Sequence, residues 1–218
     1  MILPSLLEYS VESLQQKLNL LDQHRKYVSS LQSADILSLH LDFVLPQFAK
    51  DRSVMTSLKP QTVLENLNHR YRKSRINLTI HLMGELEDML ESFGFFYEYD
   101  FNSKWKYTIL LPEKFVSNWR SQIKKSQKNV VFGVWYDLGE WKDKSFKIAQ
   151  TYLLMTVLAG KSGQQLTQSI KETTKKLTLD CPNVHFILDG GWQIGEKSGK
   201  NVDIVSHSSF WKSLGEIN

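Results

Sequence analysis

The 218-residue chain is short of the features that would place it in a specialised class. It has one cysteine, Cys181, which excludes an internal disulfide framework and any thiolate zinc cluster built from this chain alone. Long apolar runs are missing too: Phe93–Phe96 and Tyr152–Met155 fall far short of the roughly 20 residues that a membrane helix needs. Met1–Leu7 carries neither a basic n-region nor an apolar h-region, so no secretory signal is expected. Neither sign of charge dominates, since 27 Lys and Arg against 23 Asp and Glu leave +4. The basic residues are dispersed and nearly matched by acids, so nucleic acid is not an expected partner. The densest basic stretch, Arg70–Arg75, reads as the solvated end of a helix. What is present is ordinary globular composition, 41% apolar and 23% charged, which argues against disorder and fibrous repeats. The expectation is a soluble, cytoplasmic protein without a membrane partner, folded as a single domain over residues 1–218.

Short β-rich runs alternate with amphipathic stretches from end to end. The strand candidates are Ile2–Leu6, Ile36–Phe43, Ile76–Leu82, Lys106–Leu111, Val130–Tyr136, Thr151–Val157, Val184–Leu188 and Val202–Val205. Apolar residues at helical spacing predict helices over Val11–Leu31, Thr62–Tyr71, Glu85–Phe93, Glu113–Ile123, Ser145–Ala149, Gln165–Leu177, Gln193–Gly199 and Ser209–Leu214. Strict strand–helix alternation implies a parallel sheet. Eight such pairs imply an α/β fold of the (β/α)8 TIM-barrel type, with a doubly wound open sheet as the alternative.

Side-chain parity within the strands separates a polar face from an apolar one. In the second candidate Ser38, His40 and Asp42 oppose Leu37, Leu39 and Leu41. Asn77, Thr79, His81 and Met83 likewise oppose Leu78, Ile80 and Leu82, and His185, Ile187 and Asp189 oppose Val184, Phe186 and Leu188. In a barrel the apolar face meets the helices and the polar face points inward. His40, Asp42, His81 and Asp189 then lie at the C-terminal strand ends, where such barrels place their chemistry. A lone inward histidine is ordinarily a hydrogen-bonded core residue. Two His and two Asp at equivalent positions leave a polar core and a metal site both open. As ligands they suit one divalent ion, Zn, Fe, Mn or Co. His185, inward and below Asp189, reads as a buried hydrogen-bonding residue, and His69 and Cys181 as surface or loop positions.

At these residues the sequence resembles the ribulose-phosphate 3-epimerase family of phosphate-binding barrels. Leu3-Pro4-Ser5-Leu6-Leu7 is similar to the family's A-P-S-I-L, His40-Leu41-Asp42 to H-x-D, and His81-Leu82-Met83 to H-L-M. Leu111-Pro112-Glu113 falls at H-P-E. Leu154-Met155-Thr156-Val157 followed by Gly160-Lys161-Ser162-Gly163-Gln164 resembles L-M-(S/T)-V-x-P-G-F-G-G-Q. Leu188-Asp189-Gly190-Gly191 is similar to V-D-G-G, and Val205-Ser206-His207-Ser208 stands where V-A-G-S is expected. These matches run in order from Ile2 to Trp211.

The resemblance implies that His40, Asp42, His81 and Asp189 bind the metal and that Asp42 and Asp189 are also the acid and base. Ser5 and His81 would touch the substrate. Its phosphate would lie against Gly160, Lys161, Ser162, Gly163, Gly190, Gly191, His207 and Ser208. The implied activity is an isomerase of the pentose phosphate pathway, inverting C3 of a ketose phosphate such as ribulose 5-phosphate. Its partner would be a sugar phosphate, and a homo-oligomer is compatible with it. The chemistry is consistent with the residue types: inversion beside a ketone needs a base on one face, an acid on the other and a cation near the oxygens. Met83 and Met155 would be a polarizable wall beside the reacting carbon, or ordinary core filling.

The chain also departs from the pattern. Phe43-Val44-Leu45-Pro46-Gln47-Phe48 replaces V-M-D-G-x-F, Leu111 replaces a histidine, and Leu158-Ala159 replaces the residue and proline before the loop glycine. Lys161, Ser162 and His207 replace Phe, Gly and Gly around the phosphate. Lys161 could restore by charge what a glycine gives by geometry, and His207 either turns aside or meets the phosphate itself, in one form as imidazolium. Two further readings therefore stand: a sugar-phosphate-binding barrel with little or no turnover, and an epimerase for a 2-ketohexose 6-phosphate. The chain lacks the D-x-K-x-x-D constellation of related decarboxylase and aldolase barrels, and Gly160-Lys161-Ser162-Gly163 is not a P-loop.

Overall fold

A computed structural model describes residues 1–32, 36–122, 127–160, 164–193 and 201–215. Eight strands, β1 (Ile2–Leu6), β2 (Leu37–Val44), β3 (Ile76–Met83), β4 (Lys106–Pro112), β5 (Val130–Tyr136), β6 (Thr151–Met155), β7 (His185–Asp189) and β8 (Val202–Ser206), pair in sequence order as a closed barrel. Every pairing is parallel, including β1 with β8. The fold is a (β/α)8 barrel, with closure in place of the open sheet's free edges.

Two apolar layers follow from strand parity. Leu39, Leu41, Ile80, Leu82, Ile109, Leu111, Tyr152, Leu154, Phe186 and Leu188 face outward. They pack on Leu14, Leu18 and Leu21 of α1 (Val11–Gln23), Leu64 and Leu67 of α4 (Pro60–Tyr71), and Phe96 of α5 (Leu86–Glu98). Val116 and Trp119 of α6 (Glu113–Gln122) and Phe210 and Leu214 of α8 (Ser208–Gly215) complete that layer. Inside the barrel, Leu3, Val44, Met83, Leu110, Trp135, Leu153, Met155, Ile187 and Val205 form a second cluster near the C-terminal mouth.

Helix placement differs from the simple alternation. The stretch Val11–Leu31 is two helices, α1 and α2 (Arg25–Gln32), because His24 leaves helical geometry at φ −105°, ψ 25°. An additional helix, α3 (Pro46–Arg52), follows β2; Pro46 preorganises its first turn and Ser53 ends it in the left-handed region at φ 53°. Ser145–Ala149 is not helical. Its backbone N–H groups at Ile148 and Ala149 donate instead to the Tyr152 hydroxyl, at 2.7 and 2.8 Å. The helix expected from Gln165 starts later, as α7 (Gln168–Asp180), where the Thr167 hydroxyl caps Ile170 N. The helix expected at Gln193–Gly199 lies outside the described residues beyond Gln193. Among the described residues no helix is long and apolar enough to cross a membrane.

Candidate metal and substrate site

Register brings the four polar side chains together. Asp42 on β2 pairs with His81 on β3, while His40, one pleat lower, pairs with Ser5 on β1. Asp189 ends β7 beside Met155 of β6 and Val205 of β8. His40 Nε2 and His81 Nδ1 each lie 3.0 Å from Asp42 Oδ1 and 3.8 Å from Asp189 Oδ2. One ligand atom from each of the four residues falls within 4.8 Å of the other three.

The donor set fits a divalent ion. Metal–ligand bonds of about 2.0–2.2 Å in a tetrahedral site put neighbouring donors about 3.3–3.6 Å apart. The nitrogen–oxygen separations here, 3.0 and 3.8 Å, bracket that edge. The remote ring nitrogens, His40 Nδ1 and His81 Nε2, are buried and have no hydrogen-bond partner among the described residues. Metal-binding imidazoles are ordinarily oriented through that second nitrogen. Packing does part of this orienting here: His81 stands edge-on to Trp135, centroids 4.9 Å apart, and Trp135 Nε1 donates to Leu82 O at 2.9 Å.

The two carboxyl groups sit in opposed environments. Burial raises Asp42, but the His40 charge and hydrogen bonds from both histidines outweigh it and hold Asp42 well below the usual range. Burial pushes Asp189 up to about 7, and the neighbouring Asp42 charge adds to that despite His40. The pair is thereby split, Asp189 being the more easily protonated carboxyl and Asp42 the less. Burial lowers both imidazoles. In His40 the Asp42 charge and hydrogen bond reverse the direction, and in His81 they do not.

A cavity of about 270 Å³ opens above this cluster. Asp42, Asp189 and Ser5 line it, with Met83 and Met155 as its apolar wall. Gly160, Gly190, Gly191, His207 and Ser208 line it as well. All three of these glycines have positive φ, and at two of them an added Cβ would also overlap its neighbours. Gly190 has φ +106° and an added Cβ would stand 2.2 Å from Val157 Cγ2; Gly191 has φ +74° and its Cβ would stand 2.7 Å from Leu166 N. Lys161, Ser162 and Gly163 lie outside the described residues. His81 is fully buried beneath the cavity rather than on its wall.

Sequence reasoning passed over several residues that shape this site. Thr156 Oγ1 donates toward Asp189 O and Gly190 O, at 2.8 and 2.6 Å, and accepts from Trp192 Nε1 at 3.0 Å. Those contacts tie the end of β6 to the loop after β7. Lys17 on α1 reaches His207, and burial together with the Lys17 charge holds that imidazole below its usual range, which works against an imidazolium there. Trp135 was open to discovery, because strand parity points it inward. Lys17 carried no such signal, since nothing local distinguishes it from other helical lysines. No protein-family model matches the chain, and no curated protein matches its sequence.

Proposed function

We propose that this barrel is a metal-dependent epimerase that inverts C3 of a ketose phosphate, ribulose 5-phosphate to xylulose 5-phosphate or a close analogue, in the manner of the ribulose-phosphate 3-epimerases it resembles. The observation that carries the proposal is the convergence of Asp42 and Asp189, from β2 and β7, on one cavity beside His40 and His81. With the substrate's C3 between them, one carboxylate removes the C3 proton and the electron pair moves through C2 onto the ketone oxygen. The other carboxyl then delivers a proton to the opposite face of C3, and the pair is reset by exchange with solvent. His40, His81, Asp42 and Asp189 would hold one divalent ion, which supplies positive charge where the oxyanion develops. Ser5 fixes Asp42 by donating to its Oδ2 at 2.6 Å. Met83 and Met155 keep water from the reacting carbon, and Gly190 and Gly191 let backbone approach the phosphate.

The test is incubation with ribulose 5-phosphate in D₂O after loading with Zn, Fe, Mn or Co, following deuterium at C3 by NMR. Deuterium entry with formation of xylulose 5-phosphate is the expected result. Binding without exchange, under all four metals, would favour the reading as a sugar-phosphate-binding barrel. Exchange only with a 2-ketohexose 6-phosphate would move the substrate but keep the chemistry.

A further inference from the structure

His207 lies just before α8, and its side chain makes one hydrogen bond among the described residues. Its Nε2 is 3.2 Å from Lys17 Nζ. An ammonium has only protons to give, so Nε2 must accept, and the proton of the neutral ring must sit on Nδ1. A second ring proton would set two cations against each other at that distance. Lys17 is itself held on several sides. Its ammonium donates to Glu8 Oε1 at 2.5 Å, and Glu8 is 3% exposed. The Ser13 hydroxyl donates to the same carboxylate, and the Lys17 ammonium stands 5.0 Å from the centroid of the Trp211 ring. Trp211 Nε1 in turn donates to Ser5 O at 2.8 Å, which joins the cluster to the strand that orients Asp42.

The other ring nitrogen, His207 Nδ1, is buried and has no hydrogen-bond partner among the described residues. His207 also lines the cavity that contains Asp42 and Asp189. A buried donor without an acceptor is costly, so a ligand oxygen that satisfies it binds with advantage. We propose that Lys17 is a positioning residue for the anion-binding end of this cavity, holding His207 in one neutral tautomer so that the ring is a fixed, uncharged donor to an anionic ligand oxygen. That this anion is a substrate phosphate rests on the function proposed above; the positioning does not. The charged groups acting on the ring are Lys17 from α1, Glu8 from the loop before it and Asp42 from β2. Burial and Lys17 lower its proton affinity, and the two acids oppose them.

The experiment reads His207 directly by NMR of the histidine side-chain nitrogens, and uses sulfate as the anion because sulfate keeps its charge from pH 5 to 8. In the wild type His207 should remain a neutral Nδ1–H ring throughout the mildly acidic range, and sulfate affinity should change with pH only as Asp189, which lines the same cavity, gains its charge. Lys17→Met should raise the His207 midpoint by at least about one pH unit, so that the ratio of sulfate affinity at pH 5 to that at pH 8 rises on the order of tenfold above the wild type's, in which Asp189 titrates equally. Lys17→Arg should behave as the wild type. An Nε2–H tautomer in the wild type, an unchanged midpoint in Lys17→Met, or sulfate that binds the wild type at neither pH would each overturn the inference. The wild-type tautomer decides the matter alone if Lys17→Met does not fold. Deuterium exchange at C3 reads the proposed function separately: exchange with an Nε2–H ring sinks this inference only, and a Lys17-dependent His207 without exchange sinks the epimerase only.

Discussion

Ser5 Oγ donates to Asp42 Oδ2 at 2.6 Å from the adjacent strand, while His40 Nε2 and His81 Nδ1 both stand 3.0 Å from the other oxygen, Oδ1. Asp42 is thus clamped on both oxygens, one facing a hydroxyl and the other the two imidazoles. A hydrogen bond to a buried charged group contributes about 1.5–3 kcal/mol. Ser5→Ala should cost stability in that range, seen as a lower urea midpoint at an unchanged slope. A midpoint equal to the wild type's would mean that Asp42 does not depend on Ser5.

Replacing Asp189 separates proton transfer from folding. Asp189→Asn keeps the side chain's shape but cannot relay a proton, so turnover at C3 should fall by roughly 10²–10⁴. Asp42→Asn should do the same. In either variant the remaining carboxylate can still exchange the proton on its own face, so one epimer should continue to take up deuterium if metal is retained. Near-wild-type turnover in Asp189→Asn, with metal content measured alongside, would remove Asp189 from the mechanism.

Metal should be visible without any substrate. Purified protein reconstituted with Zn or Mn should hold about one ion per chain, and His81→Ala should lose most of it, since one of four donors is gone. Binding at 100 times the dissociation constant adds about 2.7 kcal/mol. For a chain of this length that is a melting shift of about 5–10 °C, reversed by chelator. Equal ion content in the wild type and a His40→Ala/His81→Ala double variant would leave the cluster as a polar core.

Much of this site was legible because its signals are local. The period of two along β2, β3 and β7 puts His40, Asp42, His81 and Asp189 on inward faces, and barrel closure carries them to one place. Where the sequence misled, a competing contact won. Ser145–Ala149 has helical spacing, yet Phe146, Ile148 and Ala149 pack on the outer core as irregular chain, and the Tyr152 hydroxyl takes the N–H groups that a helix would have used. Seven-residue α3 is too short to show a helical period. Lys17 and His207 are 190 positions apart, so only the closed fold reveals that they meet.

A pH test away from the site concerns Asp203, at the opposite end of the barrel. Burial alone would raise its carboxyl, but the His185 Nε2 contact at 2.9 Å and the His185 charge hold it below the usual range, with the Met1 amino group 2.9 Å away adding to this. A depressed carboxyl stabilises the fold above its unfolded value near pH 4, and that contribution is lost as pH falls through the lower folded value. Asp203→Asn should therefore be less stable than the wild type at pH 6 and nearly equal to it at pH 2–3, by urea midpoints. A difference that persists unchanged into acid would assign the effect to packing.

The two glycines after Asp189 give the last prediction, because they join backbone geometry to ligand binding. Gly190 combines φ +106° with a Cβ position 2.2 Å from Val157 Cγ2, so alanine there is both strained and overlapped. The only relief is to move Val157 or the loop itself. Its carbonyl also accepts from Thr156 Oγ1 at 2.6 Å, so movement would disturb the tie between β6 and β7 that sets the cavity's edge. Gly94 is the opposite case: it lies within α5 and an added Cβ would meet nothing within 4 Å. Gly94→Ala should stabilise the protein by about 0.5–1 kcal/mol and leave ligand binding untouched. Gly190→Ala should destabilise it and weaken binding of ribulose 5-phosphate more than that of metal, because three of the four metal donors, His40, Asp42 and His81, stand on other strands. Calorimetry of both ligands on both variants checks this. Equal loss of metal and sugar phosphate in Gly190→Ala would show the loop collapsing into the cluster rather than merely failing to cradle the phosphate.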